Sequence, residues 1–221
     1  MRALKPKGLK GCDDCKPMEC RQGYPKGIPP YCLAATFHDV VEETKVRYSI
    51  PDVVDIYKAS GKVVSNGYRR WPRIQEAVEF AKELGLSKIG FASCIALVQE
   101  LRMTIELFHG AGFDTVSAIC QIGKVPPEAR GVKVDSKESK GLYCNPIAQA
   151  EILNREGTQL NFLLGLCLGH DILFNRYSKA PVSTLIVKDR VTGHNPAAAL
   201  YSSSHRQALQ KLYCGSLEDK G

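Results

Sequence analysis

The stretch KIGFASCIALVQELRMTIELFHGAGFDTVSAIC, residues 88–120, decides how this chain is built. Its opening KIGFASC is a short, mostly apolar run, the pattern of a strand buried on both faces. IALVQELRMTIELFHGAG, residues 95–112, continues as a helix. DTVSAIC, residues 114–120, is a second short strand-like run. A strand, a helix and a second strand in about thirty residues is the length of one parallel crossover unit.

The same alternation extends outward. Upstream, AATFHDVVEETKVRY (34–48) and PDVVDIYKASGKV (51–63) read as helices. WPRIQEAVEFAKELG (71–85) is amphipathic through Ile74, Ala77, Val78 and Ala81, with Gly85 as its stop. Downstream, a polar loop with a Pro-Pro pair leads to NPIAQAEILNREG (145–157), a helix with Asn145 as N-cap and Pro146 as first residue. QLNFLLGLC (159–167) reads as a third strand, GHDILFNRYS (169–178) as a short helix and STLIVKD (183–189) as a fourth strand. HNPAAALYSSSHRQALQKLY (194–213) reads as one or two terminal helices. Residues 37–221 are therefore expected to form an α/β domain, a Rossmann-like parallel sheet with flanking helices. Residues 1–36 lack this periodicity and are expected to form a small Cys-rich metal-binding module.

Composition narrows the function classes. The 221 residues are 44% hydrophobic and 24% charged, with a net charge of +7. Apart from MRALKPKGLK and YRRWPR the basic residues are scattered, and no nucleic-acid motif accompanies them, so no nucleic-acid partner is expected. No apolar run is long enough to span a membrane, and MRALKPKGLKGC has no apolar segment of a secretory signal. The reading is a cytoplasmic protein without a membrane partner, acting on a small-molecule substrate or with an electron-transfer partner. Nine cysteines are unusual in a reducing compartment and point to metal or thiol chemistry.

Placed on this pattern, Cys94, Cys120 and Cys167 fall at the ends of the first three strands, and Cys144 falls just before a helix start. In a parallel sheet these positions share the carboxyl edge, where α/β proteins bind their ligands. Each cysteine taken alone also suits a small core residue. Four together suit soft-metal ligation by an iron–sulfur cluster, of the [4Fe-4S] type, or by zinc. His170, Lys188 and His194 are candidate catalytic neighbours that bind an anionic substrate or transfer protons, with Asp171, Asp189, Arg190 and Asn195 beside them in sequence.

Two other classes stay open. GLCLG, residues 165–169, has the form of a nucleophile elbow with Cys167 in place of serine. A hydrolase or amidotransferase would use His170 or His194 as base and Asp171 or Asp189 as its orienter. That reading leaves Cys94, Cys120 and Cys144 without a role. The other class is a non-catalytic protein that stores, carries or senses metal.

Near the N-terminus, Cys12, Cys15 and Cys20 follow a C-x2-C-x4-C spacing, and Cys32 comes eleven residues later. A C-x2-C pair clasps one metal from a tight turn and two further thiols complete the site. An iron–sulfur cluster is the preferred occupant and zinc the alternative; a cluster here would pass electrons to the second site. Cys214 is left as a spare thiol.

The segments CDDC, FASC, CNPIAQAEILN, GLCLGHDILF and VKDRVTGHNPAAALY resemble a family of Cys-rich proteins of anaerobic microbes, catalogued as domain of unknown function 1847 and described as metal-binding. The resemblance covers nearly the whole chain. It implies metal binding at the cysteines and supplies no reaction. By analogy the chain is also similar to thiouracil desulfidases, in which three cysteines hold a cluster and one iron is left free for substrate sulfur.

Overall fold

In the computed structural model, residues 11–15, 18–125 and 144–214 are described. The chain divides into two compact units, one ending at Lys62 and one starting at Val63.

In the first unit, short 3-10 turns occupy Cys12–Asp14 and Glu19–Gln22. Helices α1 (Leu33–Thr36) and α2 (His38–Arg47) follow, and α3 (Pro51–Gly67) carries the chain across the boundary. The run 34–48, expected as one helix, breaks at Phe37 (ψ 44°). Helix α2 buries no residue; Tyr48 and Tyr57 meet edge-on at 5.1 Å between ring centres.

The second unit is the expected α/β fold. Strands β1 (Lys88–Ser93), β2 (Asp114–Ile119), β3 (Leu160–Leu164) and β4 (Val182–Ile186) pair in parallel in the order β2-β1-β3-β4. The chain goes from β1 outward to β2, then returns across β1 to β3, so the winding direction reverses between β1 and β3. The crevice above such a reversal is the usual ligand site of an open parallel sheet.

Alternation along the central strands divides the core in two. Ile89 and Phe91 of β1 and Leu160, Phe162 and Leu164 of β3 face α4 (Arg73–Glu83) and α5 (Val98–Gly110), which contribute Ala77, Val78, Ala81, Leu101 and Phe108. Phe91, Phe108 and Phe162 are mutually in contact, with ring centres 5.0 to 5.9 Å apart. Each such pair adds about 0.5–1.5 kcal/mol beyond the area it buries. Ala92 and Leu163 face the other way, toward Ala150 and Leu153 of α6 (Pro146–Arg155) and Phe174 of α7 (His170–Tyr177).

Asn145 caps α6 as expected: its side chain accepts the Ala148 N–H at 3.0 Å. The terminal segment forms two helices, α8 (Ala197–Tyr201) and α9 (Ser203–Tyr213). Strand β3 stops three residues short of Cys167, because Gly165 turns the chain with φ +61°. The Pro-Pro loop expected before Cys144 and the first ten residues of the proposed N-terminal module lie outside the described residues.

Candidate functional site

Backbone pairing continues past the strand ends and carries the cysteines with it. The Cys94 N–H donates to Leu164 O at 3.1 Å, and the Cys120 N–H to Ser93 O at 2.8 Å. The Asn145 N–H donates to Cys120 O at 2.7 Å, which ties the start of α6 to the end of β2. Cys94 opens the 3-10 turn Ile95–Leu97 that leads into α5. Cys167 lies between two left-handed glycines, Gly165 (φ +61°) and Gly169 (φ +89°), and its carbonyl accepts the His170 N–H at 2.8 Å. A Cβ on Gly165 would lie 2.6 Å from Leu97 Cδ2, so this turn also requires glycine for space.

The four thiols form one chain of neighbours. Cys94 and Cys120 are buried, 6% and 2% exposed, whereas Cys144 and Cys167 are half-buried. The Ile95 N–H points at the Cys120 sulfur at 3.4 Å, and the Lys188 ammonium donates to the Cys94 sulfur. The hydrogen bond from Cys94 to Cys120, and then burial, push the Cys94 thiol from an ordinary 9.0 up to about 12. Cys120 donates in turn to Cys144, which raises Cys120 and lowers Cys144. Cys167 is lowered first by the His170 side chain and then by the Lys188 charge. Protonated thiols thus lie inside, and the two thiols with most thiolate character lie on the solvent side. A charged sulfur is tolerated where water or a cation solvates it and is suppressed where neither does.

The other expected site residues have distinct placements. Lys188 reaches the thiols, and its charge acts on Cys144 and Cys167 besides Cys94. His170 sits beside Cys167, and its Nδ1 is buried without a hydrogen-bond partner among the described residues. Asp171 turns its carboxylate to the Gly169 and Ile172 N–H groups, so it organises the start of α7. His194 has φ +68°, and its Nδ1 accepts the Asp189 N–H at 3.1 Å. Asp189 accepts the Val191 and Thr192 N–H groups. Asp189 and His194 thereby shape the loop that follows Lys188.

Sequence reading missed Gln149. Fully buried on α6, its Nε2 donates to Ser93 O at 3.2 Å and Ala118 O at 2.7 Å, just before Cys94 and Cys120 respectively. One side chain therefore joins the three segments that carry Cys94, Cys120 and Cys144. The available signal was a polar residue on the helix face that also carries Ala150 and Leu153.

In the first unit, Cys15 and Cys32 are half-buried and Cys12 and Cys20 exposed. The Cys32 thiol is lowered by the Ala34 N–H and by the Tyr24 hydroxyl. The Tyr24 phenol is held up to about 12 by its bond to Cys32, by burial, and by the charges of Cys32, Cys20 and Cys12. The Tyr31 phenol is raised by burial first and then by the charges of Cys15, Glu19 and Cys32. Cys214, at the end of α9, is exposed.

Thiolate sulfur in fours is a donor set that suits an iron–sulfur cluster or zinc. Among the described residues, no three His, Cys, Asp or Glu side chains are arranged as they stand to hold a metal ion. At the sheet edge the thiols are engaged with one another, Lys188 and His170. A single χ1 step moves a cysteine sulfur by about 3 Å, so ligation calls for rotamer changes and loss of the thiol protons.

A family model described as a protein of unknown function (DUF1847) matches residues 32–185. That span includes Cys94, Cys120, Cys144 and Cys167 and ends before Lys188. An uncharacterized protein of Methanocaldococcus jannaschii is 38% identical over 171 residues, covering 77% of this chain and 88% of the relative. Among the described residues, no helix is long and apolar enough to cross a membrane.

Proposed function

This chain belongs to the DUF1847 family, and we propose that it is an iron–sulfur protein with two cysteine-ligated sites. The second site performs redox or cluster-based chemistry on a small substrate. The observation that carries this reading is the run of four neighbouring thiols above the reversal between β1 and β3, with a lysine ammonium directed at one of them. Cys94, Cys120, Cys144 and Cys167 are the ligands, and Cys12, Cys15, Cys20 and Cys32 form the other set. A cluster supplies one-electron transfer through sulfur-ligated iron.

The protein's own groups do the remaining work. Lys188 offsets the negative charge that several thiolates accumulate in a partly dry site. The half-buried side of Cys144 and Cys167 is where a small molecule approaches, and the Lys188 charge favours an anionic one. His170 lies beside Cys167 and is assigned to proton transfer on that side. Gln149 keeps the ends of β1 and β2 at a set distance from α6.

The test is iron, zinc and acid-labile sulfide content, with an absorption spectrum, on protein purified without oxygen. Near-equal iron and sulfide, lowered by about half in a Cys120→Ser/Cys167→Ser protein, supports the reading. Unchanged metal content in that variant refutes the assignment of the second ligand set.

A second reading is favoured by one particular observation. Cys167 lies in a tight turn between β3 and α7, with His170 holding it toward thiolate, as in a thiol hydrolase or amidotransferase. Metal-free, folded protein whose turnover of a thioester or amide is abolished by stoichiometric alkylation of Cys167 would establish it.

A further inference from the structure

We propose that Tyr24 is a positioning residue of the N-terminal thiol set, donating its hydroxyl hydrogen to the Cys32 sulfur and orienting that sulfur toward a bound metal. This rests on the reading of Cys12, Cys15, Cys20 and Cys32 as metal ligands.

The geometry is specific. Tyr24 Oη lies 3.6 Å from Cys32 Sγ, within hydrogen-bond range for sulfur. The backbone is bent to achieve it. Tyr24 has φ +56°, a left-handed conformation that side chains with a Cβ rarely adopt, and Met18 has φ +43°. The 3-10 turn Glu19–Gln22 between them brings the Tyr24 N–H back to Glu19 O at 3.1 Å, and the Gly27 N–H closes onto Tyr24 O at 2.9 Å. The Cys32 N–H donates to Pro29 O at 2.9 Å, so its position too is held by a turn. Strained backbone of this kind persists where surrounding structure or a bound group over-determines it. Here it flanks Cys20 and aims an aromatic hydroxyl at a thiol eight residues on.

A phenol is a good donor to thiolate, and Cys32 sits where such a donor matters. Cys32 is half-buried, and the Tyr24 hydroxyl supplies its sulfur with one directional hydrogen bond. Outer hydrogen bonds to ligating atoms fix their orientation and spread their charge; removing one weakens metal binding by about 10–100-fold.

The experiment uses the full chain, stripped of metal and titrated with cobalt(II) without oxygen. A full-length Cys12→Ser/Cys15→Ser protein serves as reference, and cobalt bound beyond that reference reports the N-terminal set. Tyr24→Phe keeps the ring and deletes the donor. The expected result is unchanged stoichiometry, affinity weakened by about tenfold or more in competition with a chelator, and a sulfur-to-metal charge-transfer band displaced to longer wavelength. Loss of a donor raises the energy of the sulfur lone pair, which a merely structural change would not do. Tyr31→Phe, which leaves the Cys32 bond in place, is expected to change neither quantity. A Tyr24→Phe protein that loads cobalt with affinity within twofold of the parent and an unmoved band overturns the role of Tyr24 alone. Equal cobalt binding by the double-serine reference and the parent overturns the N-terminal metal reading, and the role of Tyr24 with it.

Discussion

Gly90→Ala probes the packing that places the first of the sheet-edge cysteines. Gly90 is in the middle of β1, four residues before Cys94, and pairs with Asn161 of β3. A Cβ there would lie 1.9 Å from Asn161 Oδ1 and 3.0 Å from Leu153 Cδ1. The Asn161 amide would have to retreat by about 1 Å before reaching even the shortest tolerable contact. It has little room to do so: Asn161 is fully buried, accepts from Thr158 Oγ1 at 2.7 Å and donates to Ser178 Oγ at 2.9 Å. Overpacking costs about 1–3 kcal/mol, and a strained or broken hydrogen bond adds about 1 kcal/mol. The expected destabilisation is about 2–4 kcal/mol, which lowers the Tm of a unit this size by about 5–15 °C. Urea and thermal unfolding followed by far-UV circular dichroism measure it. Asn161→Ala in the Gly90→Ala background removes the clash, so the pair should be less destabilised than the sum of the single changes, with a coupling of about 1–3 kcal/mol. A Gly90→Ala protein within 0.5 kcal/mol of the parent, at unchanged urea dependence, would refute the packing argument.

Four other perturbations have definite expected outcomes. Lys188→Met removes the ammonium from the Cys94 sulfur and should weaken metal binding at the sheet edge by about 10–100-fold, read by chelator competition. In metal-free folded protein, iodoacetamide should modify Cys144 and Cys167 well before Cys94 and Cys120, since the first two are half-buried and lowered and the others buried and raised; peptide mass spectrometry follows each site. The raised Cys94 thiol is protonated at neutral pH and must lose its proton on ligation, so metal affinity at this site should climb as pH rises from 6 to 8. The sign for stability is opposite: the contribution of Cys94 to metal-free stability is complete below its ordinary 9.0 and is lost as pH rises toward about 12, visible in urea midpoints. Gln149→Leu leaves the Ala118 and Ser93 carbonyls without their side-chain donor and should cost about 1–3 kcal/mol, measured by urea unfolding.

The amino-acid sequence by itself determined the elements and their order. Short apolar runs mark β1 to β4 and helical apolar spacings mark α4 to α7, Asn145-Pro146 marks the start of α6, and four cysteines fall beside strand or helix ends. These features are local, because side-chain direction and backbone capping depend on neighbours a few residues away. Only the tertiary structure decided the order β2-β1-β3-β4 and the reversal between β1 and β3. The same holds for the joining of three segments by Gln149, the space that Gly90 yields to Asn161, and the reach of Tyr24 to Cys32. The protonation pattern of the thiols is also tertiary. Lys188 stands 94 residues from Cys94 in sequence, and its charge acts on that sulfur only when β4 and β1 belong to one sheet. Burial and charge proximity are set by which distant segments share a few ångströms of space, and spacing along a chain does not carry that information.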